Sequence, residues 1–348
     1  MYENDKRIVL TLDAGGTNMV FSAIKGNKEI VESYSAKTET DDLDKCLKDI
    51  SDGFSAISER LDGKPDAISF AFPGPADYEN GIIGDLPNFS CFRGNVPLGS
   101  FLSERFHIPV FINNDGNLYA LGEAKSGFLQ KINATLTKAG KHKKYKNIIG
   151  VTLGTGFGAG VVIDGHLLKG DNGCGGDVWL MRNRREPGMI AEESVSIRAV
   201  QRVYSTISGD TKKLSPKEIF EIAEGNLEGD RAAALESFAS LGRGVADAII
   251  TALDIIDGLV VIGGGVAGAY KFIFPAMKET MNEKFHTFAG LTFPCVQMRP
   301  FFIDCEDSLK RFIEYEGKKT AIGLSSADTS KVIWAGAYAY AIEKLDQG

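Results

Sequence analysis

No two cysteines in this 348-residue chain stand in a CxxC spacing. The five present (Cys46, Cys91, Cys174, Cys295, Cys305) are scattered, which excludes a disulfide framework or a zinc cage and points to reduced thiols in a cytoplasmic protein. An excess of positive charge is also lacking. Lys and Arg number 39 against 46 Asp and Glu, a formal net charge of −7, so nucleic acid is not expected as a main partner. No long apolar run is free of charge. The longest, from Val245 to Val266, carries Asp247, Asp254 and Asp257, and no membrane partner is expected. No charged-then-apolar leader precedes the first strand. The sequence GxxxxGK[ST] occurs nowhere, which excludes a P-loop nucleotide site.

The chain is 43% hydrophobic and 24% charged, ordinary for a globular protein with a large core and a length that suits two domains. Its 40 glycines cluster after β-like runs, at 15–16, 150–160, 170–176 and 263–268. Strands that end in glycine-rich turns are typical of α/β folds with ligands at the strand ends. Asp13-Ala14-Gly15-Gly16-Thr17 lies where one apolar run, 8–12, turns into another, 19–24. Glycines at a hairpin mouth let backbone N–H groups approach an anion, Thr17 adds a hydroxyl, and Asp13 suits a phosphate that carries Mg²⁺. The alternative is a tight hairpin whose glycines only relieve strain. Residues 149–163 echo 8–24, with a Thr-Leu strand, a Gly/Thr turn and a second apolar strand. This suggests two related lobes, unless two glycine hairpins resemble each other by chance.

Elsewhere the pattern predicts helices at about 42–61, 97–106, 117–125, 189–208, 215–224, 228–256 and 329–346, and strands at 67–72, 110–112 and 259–262. The lysine-rich stretch 129–147 reads as a solvated loop or insertion. Gly263 to Gly268 matches GxGxxG, but too close to the C-terminus for a dinucleotide domain. Three glycine turns remain, at 15–16, 154–160 and 263–265, and one nucleotide could be held by all three. Asn113-Asn114-Asp115-Gly116 ends a strand and starts a helix. It reads as an N-cap, as an aspartate able to accept a hydroxyl proton, or as both.

With these residues assembled, the chain resembles the ROK family of bacterial sugar kinases and repressors over nearly its whole length. The resemblance rests on DAGGT at 13–17, Phe72-Pro73-Gly74-Pro75, Leu86-Pro87-Asn88-Phe89, Asn114-Asp115-Gly116-Asn117 running to Ala120-Leu121-Gly122-Glu123, Thr152-Leu153-Gly154-Thr155-Gly156, and Val261-Ile262-Gly263-Gly264-Gly265. It implies an α/β fold of two actin-like (RNase H-like, duplicated) lobes around a central cleft that takes a hexose and ATP. The expected lobes are 1–112 plus 328–348, and 113–327. It implies ATP-dependent phosphorylation of a hexose hydroxyl, with a glucose-like substrate and a homodimer. Asp115 would be the catalytic base. Asn88, Asn114, Asp115, Asp177 and Glu193 would hold the sugar, with Glu192 as an alternative to Glu193. Gly15, Gly16, Thr17, Gly154, Thr155, Gly156, Gly263, Gly264 and Gly265 would hold ATP, with Asp13 near Mg²⁺.

The sequence also departs from the family. Gly176-Asp177-Val178-Trp179-Leu180 stands where the family has a Glu-x-Gly-His segment, and 182–188 carries no cysteine in place of its cysteine cluster. No structural zinc is therefore expected. Trp179 and Leu180 either alter the sugar preference, toward an N-acetylhexosamine for example, or Trp179 fills the volume left by the missing zinc module, which is the favoured reading. A sugar-sensing regulator without catalysis is the remaining alternative. Against it stand Asp115, the retained glycine turns, and a first strand that begins too early for a preceding DNA-binding module.

Overall fold

The computed structural model describes residues 2–14, 18–86 and 89–347. It divides into two compact units, one of residues 1–130, 160–175 and 326–348, the other of residues 131–159 and 176–325.

The chain opens with β1 (Val9–Ala14) and β2 (Asn18–Lys25), the antiparallel pair expected at 8–24, followed by the short β3 (Lys28–Glu29) and β4 (Tyr34–Lys37). Helix α1 (Leu43–Ser58) starts at Asp42, whose side chain accepts the Lys45 N–H at 3.0 Å, a cap worth about 1 kcal/mol. Its buried Cys46, Ile50, Phe54 and Ile57 recur at helical spacing and face the sheet core. Strand β5 (Ala67–Ala71) is buried along its whole length. A small ribbon of β6 (Ala76–Asp77) and β7 (Ile82–Ile83) follows, then α2 (Leu98–Phe106), β8 (Val110–Asn113) and α3 (Asp115–Lys125). The core here is aromatic. Phe54 packs edge-on to Phe21 at 5.2 Å, and Phe72 lies 5.2 Å from Phe92. Truncating such a ring to alanine costs about 3–5 kcal/mol.

Residues 129–147, expected as a loop, begin as helix α4 (Phe128–Lys138). Phe128, Leu129, Ile132 and Leu136 are buried, Lys131 and Lys138 on the helix are exposed, and the other four lysines of the stretch follow it. Strands β9 (Ile148–Leu153), β10 (Phe157–Ile163) and β11 (His166–Leu167) come next. The helix expected over 189–208 is shorter. Residues 191–193 form a 3-10 turn, and α5 (Ile197–Ser208) starts only at the Ser196 cap, whose hydroxyl accepts the Ala199 N–H at 3.3 Å. Then follow α6 (Pro216–Glu224), α7 (Arg231–Ile256), β12 (Leu259–Gly263), α8 (Tyr270–Met281), the hairpin β13 (Lys284–His286) and β14 (Thr292–Pro294), β15 (Arg299–Ile303), α9 (Glu306–Glu314), β16 (Lys319–Leu324) and α10 (Thr329–Gln347). Sequence reading anticipated none of the elements from α8 to β16.

The two sheets repeat one plan. The first runs β3-β2-β1-β5-β8, with β4 also on β2, and the second runs β11-β10-β9-β12-β16-β15. Each places its first strand between its second strand and a later parallel one. β1 pairs in parallel with β5 and β5 with β8, as β9 pairs with β12 and β12 with β16. The internal repeat in the sequence is thus a repeat of topology. The expected boundary at 112/113 falls elsewhere, because α3 belongs with the first unit. It packs along α10 so closely that a Cβ on Gly336 would lie 1.8 Å from the Leu118 carbonyl oxygen, and one on Gly122 2.1 Å from that of Val332. Among the described residues no helix is long and apolar enough to cross a membrane.

Candidate active site

In the first unit, register brings the candidate acids to one level. Asp13 pairs with Ala71, and Ala71 pairs with Asn113, so the C-terminal ends of β1, β5 and β8 finish side by side. Asn113 is buried, and its Oδ1 accepts both the Asn114 N–H at 2.9 Å and the Asn117 Nδ2–H at 3.0 Å. Asn114 caps α3, its Oδ1 accepting the Asn117 N–H at 2.7 Å. These bonds fix the corner from which Asp115 emerges as the first residue of α3. The Asp115 carboxylate accepts the Gly116 N–H at 2.8 Å. Asp115 is accessible to solvent yet walled by protein. That desolvation raises its pKa above the ordinary carboxylate value, the Gly116 N–H pulls the other way, and the Asp13 charge adds a smaller upward push. Asp13 is held in turn by the Ser330 hydroxyl at the start of α10. Gly15, Gly16, Thr17 and Asn88 lie outside the described residues.

In the second unit, β9 and β12 are parallel neighbours, and Thr152 pairs with Gly263. Their C-terminal turns, 154–156 and 263–265, therefore lie side by side. Gly264 has φ of +89°, and a Cβ there would lie 2.4 Å from the Leu153 carbonyl oxygen, so only glycine lets the second turn pass over the first. The outer faces are open. A Cβ at Gly154, Gly265 or Gly268 would meet nothing within 4 Å. The 154–156 turn closes on itself through Gly154 N–H to the Gly156 carbonyl at 3.1 Å, and the Gly154 carbonyl accepts the Ile197 N–H at 2.9 Å.

The glutamates divide in a way the sequence left open. Glu192 Oε2 accepts the Phe157 N–H at 3.0 Å and crowds Gly156, where a Cβ would come within 2.6 Å of it. Glu193 points instead to α5. Arg202 donates to its carboxylate at 3.3 Å and to its carbonyl at 2.6 Å. Arg198, on the first turn of α5, joins the two, donating to Glu192 Oε1 and to Glu193 Oε1 at 3.1 Å each and to the Thr155 carbonyl at 3.4 Å. Sequence reading missed Arg198 and Ser330. The one available signal for Arg198 was its place on the turn after the Ser196 cap.

Asp177 opens a 3-10 turn, Val178–Leu180, in which Val178 goes inside. Trp179 is 37% exposed and Leu180 52% exposed. The turn places Val178 fully inside, while Trp179 is only partly covered. The cysteine-free stretch after it is tied by Asn183. Its Oδ1 accepts the Arg185 and Glu186 N–H groups at 3.0 Å, and its Nδ2 donates to the Ile190 carbonyl at 3.1 Å and the Ser194 hydroxyl at 2.8 Å. Arg184 and Arg185 both reach Asp247, at 3.3 and 2.8 Å.

The sequence profile of the ROK family matches residues 9–297. The crystal structure of a glucokinase from Parabacteroides distasonis is 51% identical, with a TM-score of 0.88 over 99% of both chains. A glucokinase of Thermotoga maritima is 28% identical over 79% of this chain and 87% of its own length. An N-acetyl-D-glucosamine kinase of Vibrio cholerae is 27% identical over 78% of this chain and 88% of its own. The fold is the actin-like α/β fold of these kinases.

Proposed function

The chain belongs to the ROK family, and we propose that it is an ATP-dependent hexose kinase with glucose as the preferred acceptor, working as a homodimer in the cytoplasm. The observation that carries the reading is Asp115: accessible, fixed at the start of α3, and with its pKa raised above the ordinary carboxylate value by desolvation. The 51% identity to a glucokinase over the whole chain supports the choice of sugar.

Asp115 accepts the proton of the attacking sugar hydroxyl as the γ-phosphoryl group transfers. Asn114 contributes its amide beside it, and Asn88, Asp177 and Glu192 or Glu193 complete the hydroxyl contacts. The N–H groups of Thr155 and Gly156 are assigned to the ATP phosphates, and Gly15, Gly16 and Thr17 take the same role on the sequence alone. The open faces at Gly154, Gly265 and Gly268 fit a bulky nucleotide there. Asp13 is the carboxylate that would face Mg²⁺ carried by ATP, which when bound would neutralise charge on the phosphoryl group. The test is a coupled ATP assay over glucose, mannose, N-acetylglucosamine and N-acetylmannosamine. Glucose should have the highest kcat/KM, and ATP consumption without any sugar phosphate would overturn the kinase reading.

A second reading, an N-acetylhexosamine kinase, draws on the exposed Trp179 and Leu180 beside Asp177, an apolar surface that suits an acetyl group. The same panel separates the two, because a preference for the acetylated sugars would displace glucose.

A further inference from the structure

The hairpin β13–β14 is unlike the rest of the surface. All six of its strand residues are exposed. Phe285 and Phe293 stand directly opposite each other in register, and so share one face. They are 42% and 51% exposed, and Phe288 and Leu291 at the tip are fully and 58% exposed. Single exposed apolar residues are ordinary, but four large ones within nine positions form a patch.

The arm is nevertheless well built. Its tip closes through Thr287 N–H to the Leu291 carbonyl and Gly290 N–H to the Thr287 carbonyl, both at 2.9 Å. Its base is anchored by buried Cys295, whose thiol donates to the Glu283 carbonyl at 3.0 Å. A two-stranded hairpin exposed on both faces is marginal in water without something packed against it. No acidic residue occurs from Lys284 to Pro294.

We propose that this arm is the surface through which two copies of the chain pair about a two-fold axis, a proposal that rests on the homodimer inferred above. The area fits. An aromatic side chain buries about 150–250 Å², so the exposed parts of the three phenylalanines and Leu291 supply roughly 500 Å² per copy. The pair then buries roughly 1,000 Å², the size at which specific interfaces begin. The charges fit as well. At the base of the arm Glu283 and Arg184, 42% and 51% exposed, form a loose 3.6 Å pair, and Arg184 lies 5.5 Å from the Phe285 ring. A rim with both signs is self-complementary under a two-fold axis, where each Glu283 can meet the other copy's cations. A membrane surface would instead select a strongly basic rim.

The test is sedimentation velocity on the full chain at micromolar concentrations, with Phe288→Ser/Phe293→Ser and, separately, Leu291→Lys. The wild type should sediment at twice the 37.6 kDa chain mass. Both variants should sediment as monomers, with association weakened about 100-fold and an unchanged circular-dichroism spectrum, since the substituted side chains are exposed. A dimer that persists in both variants overturns the arm and keeps the homodimer. A wild type that is monomeric throughout the range overturns both. Neither result bears on hexose phosphorylation, which the sugar panel decides.

Discussion

Glu192 accepts the Phe157 N–H at 3.0 Å, so a single carboxylate ties the strand after the 154–156 turn to the segment that leads into α5. Arg198 holds the arrangement by spanning Glu192, Glu193 and the Thr155 carbonyl. Arg198 reaches these acceptors from two separate guanidinium nitrogens, a fixed fork that the single nitrogen of a lysine ammonium does not reproduce.

Arg198→Gln should therefore raise the KM for sugar about 10-fold, with a smaller change in kcat, and Arg198→Lys should recover only part of the loss. Hydrogen exchange at Phe157 should quicken in both variants. Unchanged exchange together with an unchanged KM would remove Arg198 from this positioning role.

The two glutamates should separate in kinetics. Glu192→Gln should cost more in kcat/KM than Glu193→Gln, about 10-fold or more against a few-fold, because Glu193 is already engaged by Arg198 and Arg202 on α5. Equal losses would place both side chains on the substrate.

Asp115→Asn should abolish phosphorylation, by about 10³-fold or more, and leave the fold intact. It should also stabilise the protein at neutral pH. The Asp115 pKa is raised above 3.8 in the folded state, so this group favours folding only while protonated, and that contribution is lost as pH rises through the folded value. Removing the charge relieves a cost at pH 7 that disappears below 3.8. Melting temperatures across pH should show the gain shrinking toward acid. In the wild type, kcat should fall on the acid side with an apparent pKa above the ordinary carboxylate value.

Gly336→Ala should destabilise the first unit by about 3 kcal/mol, because the new methyl group would meet the Leu118 carbonyl at 1.8 Å. Gly63→Ala, whose methyl would lie 3.8 Å from Ile8, is the control and should melt within a degree or so of wild type. A Gly336→Ala variant as stable as the control would mean that α3 and α10 can separate without cost.

The amino-acid sequence by itself determined the α/β class, the duplicated hairpins, the capped helix that begins at Asp115 and the place of the glycine turns at 154–156 and 263–265. All of these follow from local rules: apolar periodicity, capping chemistry, and glycine where the backbone turns tightly. Local rules failed where one face of an element hides the other, as in α4, whose lysines masked four buried apolar residues. They failed again at 189–196, where an apolar and acidic run reads as helix but Ser196 sets the start of α5. Only the tertiary structure decided that Asp13 and Asp115 share one level, because that depends on the registers of β1, β5 and β8. It also decided that Glu192 rather than Glu193 meets the Phe157 N–H, that Trp179 stays at the surface, and that four apolar side chains crowd one exposed hairpin. Each of these is a relation between residues far apart in sequence or on opposite sides of one turn, and strand register and packing, which no local pattern encodes, set such relations.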